Sequence, residues 1–297
     1  MAETERTASA VFRAAMIQTC SSRDVDRNLS TVSELAEAAA AAGAEYVQTP
    51  EVTTLITADR DELFAQTAAD DAGNAAITCF AEIAARLGIW LHIGSMAVQV
   101  ENGNRLANRS FLFGPAGDCR ARYDKIHMFD VDIGAGDQYW ESQRYRGGRR
   151  GVLVDLPWGT LGLTICYDMR FPALYRALAH AGAHFIAVPS AFTVPTGEAH
   201  WHALLRARAI ETQCYFFAAA QAGEHESGRR TYGHSLIVSP WGEVLADGED
   251  LQNSFIIADI RMEDLLEARR RVPSLTHDRP FEIVRAESTQ GLPRDEE

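Results

Sequence analysis

The chain has 297 residues, 46% of them hydrophobic and 23% charged, with 41 acidic against 28 basic side chains and a formal net charge of −13. This is globular composition, long enough to bury a core without disulfide staples, and its acidic balance argues against a nucleic-acid or anionic-membrane binder, since either wants a basic face. Five cysteines, an odd number without a CxxC pair, speak against a disulfide framework or a zinc ribbon and suit a reducing compartment.

The start, MAETERTASA, is polar and lacks an apolar signal core, and no apolar run approaches the ~18 residues of a membrane span. The expectation is a soluble, cytoplasmic protein with residues 1–10 as a disordered tail. VFRAAMIQ (11–18) reads as a buried strand, 24–43 as a helix stopped by Gly43, and AEYVQTPE (44–51) as a strand ended by Pro50. A helix at about 73–87, closed by Gly88, leads into the strand IWLHIGSM (89–96). Gly-Pro and Gly-Asp turn signals in NRSFLFGPAGDCRARYDK predict hairpins, and 125–150 is rich in Gly, Asp and Arg and reads as loop. Then come VLVDLP, the turn WGT, LGLTIC, a helix at about 172–181, the strand HFIAVPSAF and the helix HWHALLRARAIETQ (200–213). The strands CYFFAAAQ, GHSLIVSP and SFIIADI close the pattern. Apolar strands alternating with helices predict buried parallel or mixed sheets covered by helices. With no linker or repeat, 11–286 reads as one α/β domain, followed by a polar tail at 287–297.

Four residues carry possible chemistry. Cys166 ends an apolar run and precedes a helix, so its sulfur falls at the C-terminal edge of a sheet, where open α/β sheets place ligands. The backbone N–H groups that follow would favour a thiolate and donate to an oxyanion, although a lone cysteine is also a common core residue. Glu51 ends a strand beside apolar residues, where a carboxylate can have a raised pKa and act as general base, or can be a plain surface acid. Lys125 opens KIHMFD, flanked by apolar residues; the bland alternative is a snorkelling lysine. His127, on the same side of an extended segment as Lys125, is a competing base in a Cys–His arrangement. No metal is expected: His200 and His202 point different ways on a helix, and Gly182 interrupts His180 and His184.

The segments TPE (49–51), YDKIHMFDVD (123–132), LTICYDMRFP (163–172), HWHALLRARAIETQCYFFAAAQ (200–221) and YGHSLIVSPWGEVLADG (232–248) together resemble the nitrilase superfamily of carbon–nitrogen hydrolases. Within it the likeness is to Nit-type amidases such as deaminated glutathione amidase. The resemblance implies Cys166 as nucleophile, Glu51 as general base, Lys125 as oxyanion stabiliser and Glu141 as a second glutamate holding the lysine and substrate. Tyr167, Arg170, Ala191 and Phe192 are the expected substrate-binding residues. It implies a four-layer α-β-β-α sandwich of two mixed sheets, assembled as a homodimer or higher homo-oligomer, with no metal or organic cofactor. The implied reaction turns a small carboxylated amide into acid and ammonia through a thioester. Omega-amidase and N-carbamoyl amidase activities fit the same triad, and an inactive metabolite-binding homologue is the non-enzyme alternative. Ala173, His202 and Thr49 depart from the family pattern and touch none of the triad.

Overall fold

The computed structural model describes residues 11–70, 73–100, 104–134 and 138–285, so the expected tails at 1–10 and 287–297 lie outside the described residues. Strand β1 (Val11–Gln18) leads into helix α1 (Val25–Ala41), whose N-cap Asp24 accepts from the Arg27 N–H. Strand β2 (Tyr46–Gln48) precedes helices α2 (Arg60–Ala65) and α3 (Ala75–Leu87). Gly88 ends α3 in the left-handed region at φ 65°. Strands β3 (Trp90–Val98), β4 (Ala107–Phe113) and β5 (Cys119–Asp124) form a meander, followed by the hairpin β6 (Asp130–Asp132) and β7 (Gln138–Trp140). The second half runs β8 (Val152–Leu156), β9 (Gly159–Leu163), α4 (Pro172–His180), β10 (Phe185–Ala187), α5 (Val194–Thr212) and β11 (Tyr215–Ala218). A hairpin of β12 (Ala222–Glu224) and β13 (Arg230–Tyr232), then β14 (Leu236–Val238), β15 (Val244–Asp247), β16 (Ser254–Arg261) and α6 (Met262–Arg271) complete the chain.

Two six-stranded mixed sheets result, in the orders β16-β1-β2-β3-β4-β5 and β15-β14-β11-β10-β9-β8. The two-residue period of a strand decides what each side chain covers. Along β1, Ala15 and Ile17 pack against Val32, Ala36 and Ala39 of α1 and Phe80 of α3. The alternate residues Phe12, Ala14 and Met16 face the other sheet. Phe12 meets Phe185 at 5.3 Å and Phe217 at 6.5 Å, ring centre to ring centre. On the far side Phe216 turns outward to stack on Tyr175 of α4 at 5.8 Å. The layers are therefore helix, sheet, sheet, helix, the expected four-layer sandwich.

A polar thread crosses the apolar seam between the sheets. Gln48 Nε2 donates to the Phe217 carbonyl at 3.0 Å, and Tyr46 Oη donates to Gln48 Oε1 at 3.0 Å. His92 contacts Tyr46 Oη at 2.7 Å through Nδ1 and Ser110 Oγ at 2.6 Å through Nε2. Burial pushes the His92 imidazole down to about 3. Unfolded histidine titrates near 6.5, so between those two values the unfolded chain binds a proton that the fold refuses. Stability is therefore full above the unfolded value and is lost as pH falls below it, by up to ~1.4 kcal/mol per unit from this residue. Burial shifts His184 and His225 the same way. The urea midpoint at pH 5 should lie well below that at pH 7; equal midpoints would remove this account.

The structure differs from the sequence pattern in several places. Helices α2 and α6 and the hairpin β6–β7 were not expected, the hairpin lying inside the stretch read as loop. Helix α5 begins at Val194 rather than His200, because Pro195 sits in the first turn, where a missing N–H leaves no bond unmade. The strand expected over 44–51 stops at Gln48, and the chain then turns away carrying Glu51. Cys166 does not end a strand: β9 stops at Leu163, and Cys166 opens a short 3₁₀ turn, Cys166–Arg170.

Candidate active site

Strands β1, β2 and β3 run parallel in one sheet, as do β9, β10 and β11 in the other. The loops leaving one end of both sheets meet across the seam. Glu51 follows β2, Lys125 follows β5, Glu141 follows β7, Cys166 follows β9 and Ala191 follows β10. Their meeting depends on Gly94 of β3. A Cβ there would stand 2.1 Å from the Thr49 carbonyl oxygen, 2.4 Å from that of Pro50 and 2.4 Å from Pro189 Cβ, so only glycine lets the two loops pass.

Cys166 is held in a conformation that L residues avoid, at φ 47°. Its N–H donates to the Pro189 carbonyl at 2.9 Å. Beneath it, the wholly buried Asp168 accepts from Ile165 N at 2.9 Å, Tyr123 Oη at 2.7 Å, and His127 N at 3.0 Å. These bonds fix the turn that carries the thiol. The Tyr167 N–H, in the first turn of the 3₁₀ segment, has no acceptor among the described residues.

Lys125 is 2% exposed and Glu51 5%. The ammonium donates to Glu51 Oε1 at 2.8 Å and to Glu141 at 3.0 and 2.8 Å, so its three hydrogens face two carboxylates. Asn108 Nδ2 bridges the same two carboxylates at 3.0 and 3.1 Å. Glu51 Oε2 accepts from the Ala191 N–H at 3.0 Å, and Cys166 lines the same cavity as Glu51. Phe129 N holds Glu141 Oε2 at 2.7 Å.

This arrangement reverses two electrostatic expectations. Burial raises the Glu51 carboxyl, but the Lys125 charge and the hydrogen bond from Lys125 outweigh it, leaving Glu51 below its ordinary range. Burial, and then the neighbouring Glu51 charge, push the Cys166 thiol far up, so the resting sulfur is a thiol and not the expected thiolate. Burial works against the Lys125 ammonium, but Glu141 and Glu51 more than compensate and keep it charged.

A cavity of about 370 Å³ opens on this cluster. Glu51, Lys125, Glu141, Cys166, Tyr167, Ala191 and Phe192 all line it. Arg170 does not: its guanidinium lies over the rings of Tyr167 and Phe192 at 5.9 and 5.4 Å and 3.4 Å from His200 Nδ1. His127 is also outside the cavity wall; Asp168 holds its Nδ1 at 2.7 Å and Phe171 stacks on its ring at 3.5 Å. The Cys–His arrangement is therefore not what the fold assembles. Asn108, Tyr145 and Arg229 line the cavity without having been singled out in the sequence. Asn108 had no signal beyond being one polar residue in a strand, while Arg229 lay in a Gly-Arg-Arg turn that reads as solvent-facing.

Among the described residues one group could hold a metal ion: His202, His234 and Asp247, with ligand atoms within 4.8 Å of one another. None of them lines the cavity, and they pair instead as His202–Asp247 and His234–Asp247, both at 2.9 Å. No helix among the described residues is long and apolar enough to cross a membrane.

Residues 13–270 match the family model described as carbon–nitrogen hydrolase. The chain is 46% identical over 200 residues to a Yersinia enterocolitica protein named deaminated glutathione amidase, covering 67% of this chain and 70% of that one. A Synechocystis protein of the same name is 38% identical over 269 residues, 90% of this chain and 97% of its own. Among solved structures, the Caenorhabditis elegans NitFhit protein superposes with a TM-score of 0.84 at 34% identity, covering 92% of this chain and 66% of that longer one.

Proposed function

The chain belongs to the carbon–nitrogen hydrolase family and hydrolyses carbon–nitrogen bonds other than peptide bonds, and on that premise we propose how Cys166, Glu51, Lys125 and Glu141 divide the work. One observation carries the reading: Glu51 holds the Lys125 ammonium with one oxygen, and both line a single cavity with Cys166, whose thiol and the Glu51 carboxylate shift one another's titration. An ionised carboxylate facing a protonated thiol is a base poised next to its proton.

As Cys166 Sγ bonds to the amide carbon, its proton passes to Glu51 and the carbonyl electron pair moves onto oxygen. The Tyr167 N–H, without an acceptor at rest, takes that oxyanion; one such donor is typically worth ~3–4 kcal/mol. Proton transfer also neutralises Glu51. Its hold on Lys125 weakens as oxyanion charge appears, freeing an ammonium hydrogen for the oxyanion, while Glu141 keeps the lysine in place. Glu51 then gives the proton to the departing nitrogen, the carbon–nitrogen bond breaks, and a thioester remains on Cys166. Water attacks the thioester, its proton going to Glu51, and the sulfur leaves as the thiol once that proton returns.

The substrate class we propose is a small carboxylated amide, with deaminated glutathione as the leading member, because the relatives bearing that name align over most of this chain. The proposed assembly is a homodimer or higher homo-oligomer; Ile210 and Trp241, both about half exposed and set side by side through Gly242, support an apolar mating face. The test begins with light scattering, where a multiple of the 32.7 kDa chain mass is expected. Release of amine or ammonia is then measured over deaminated glutathione, omega-amides, N-carbamoyl acids and nitriles. Turnover should favour the carboxylated amides and be weakest on nitriles; no release from any amide would end this reading.

A further inference from the structure

Three cavity-lining side chains keep a buried polar atom that has no partner among the described residues: Asn108 Oδ1, Ser227 Oγ and Arg229 Nε. Asn108 Oδ1 is an acceptor beside Glu51 and Glu141. The other two are donors, two residues apart in the turn that joins β12 to β13. That turn is closed by its own backbone: His225 N donates to the Arg229 carbonyl at 2.9 Å and Gly228 N to the His225 carbonyl at 2.8 Å. His225 is itself pinned by Ser21 O at 2.9 Å and Thr231 Oγ1 at 2.7 Å. The two donors are thus presented from a fixed support.

Arg229 is unlike the other cavity cations. Lys125 has two carboxylates, and the Arg144 guanidinium donates to the carbonyls of Ala58 at 2.6 Å and Thr57 at 3.4 Å. Among the described residues Arg229 has one polar partner, the Ala191 carbonyl, which Nη2 reaches, and no carboxylate; its plane lies 5.7 Å from the Tyr139 ring centre. A guanidinium with a buried, unanswered N–H and no counter-ion is costly unless something arrives to accept. Its position sets what arrives. By holding the Ala191 carbonyl, Arg229 grips the residue whose N–H holds Glu51, and its charge is felt at Glu51.

We propose that Arg229, with Ser227 beside it, receives a carboxylate of the substrate and so selects amides that carry one at a fixed distance from the scissile carbonyl. This rests on the amidase reading above and names the group that sets its substrate class. A planar fork of N–H donors matches a carboxylate in two-point fashion, and a hydroxyl can add a third bond. Arg170, expected among the substrate-binding residues, stands outside the cavity, whereas Arg229 lines it.

The experiment compares succinamate, glutaramate and adipamate with the neutral amides of matching length. In the parent enzyme kcat/KM should favour the carboxylates. In Arg229→Met turnover should fall on both series, because Ala191 loses its hold, but the preference for carboxylates should collapse by a further factor of between about 10 and 100; Arg229→Lys should restore part of that preference, and Ser227→Ala should cost a few-fold. An equal fall on charged and neutral amides would make Arg229 merely structural and overturn the proposal. So would collapse of the preference in Arg144→Met or Arg170→Met instead. Calorimetric titration of Cys166→Ala with succinate, glutarate and adipate gives an answer independent of turnover: binding to Cys166→Ala, lost in Cys166→Ala/Arg229→Met, is expected. Should the parent hydrolyse no amide, the amidase reading fails while these titrations still decide the carboxylate site. Equal dicarboxylate binding by both proteins would overturn it.

Discussion

Cys166→Ala is expected to lower amide hydrolysis by at least about 10⁴-fold while leaving the folded protein intact, because the substitution removes the only group that can form the thioester. The side chain lost is small, and what fixes the turn is backbone and Asp168: the Cys166 N–H to Pro189, Ile165 N and Tyr123 Oη to the carboxylate. Glu51 keeps Lys125, Asn108 and the Ala191 N–H. Circular dichroism and urea unfolding should therefore match the parent, and mass spectrometry of stopped reactions should show an acyl adduct on the parent alone. Residual turnover above about a hundredth of the parent rate would show that another group attacks the carbonyl.

Lys125→Met should act on both stability and rate. It leaves Glu51 and Glu141, two buried carboxylates joined through Asn108, without the charge between them. Breaking a buried ion pair by removing one partner typically costs about 3–5 kcal/mol. The carboxylates can escape only by binding a proton, so the Glu51 carboxyl should rise above its present depressed position. Stability should then fall at neutral pH and recover partly as pH is lowered, opposite to the parent. Turnover should drop by about 10³-fold or more, since both the oxyanion charge and the ionised base are lost. The double variant Lys125→Met/Glu141→Gln separates the effects: removing one carboxylate should return much of the stability and none of the activity. If it returned activity as well, Lys125 would serve only to neutralise Glu141.

The layering was legible in the runs themselves, and Cys166 stood out as a candidate for the same reason. Apolar runs such as LGLTIC and CYFFAAAQ are too continuous for a solvent-facing strand, and Cys166 stands where one of them breaks into a polar turn with a proline. Glu51 and Lys125 were each ambiguous alone; the family resemblance joined them before the geometry did. Arg229 and Asn108 could not be read this way. What makes them part of the cavity is the pairing of β4 with β5 and the approach of the β12–β13 turn, and neither leaves a trace in local composition. The protonation states were missed for a related reason. A strand-end cysteine predicts a thiolate from its own helix turn, whereas the thiol here answers to a carboxylate 115 positions earlier and to burial by both sheets.

Strand β1 lies inside its sheet only because β16 covers it, pairing residue for residue from Val11 with Arg261 to Gln18 with Ser254. All the groups assigned to the chemistry are already synthesised by Arg229, but the strand that seals β1 leaves the ribosome only after them. Until then the growing chain carries an open, apolar sheet edge, the kind of surface on which chains stick to one another. Early termination short of Ser254 would spare every reactive side chain and still yield a protein prone to clump. A strand made after the site guards one made before it.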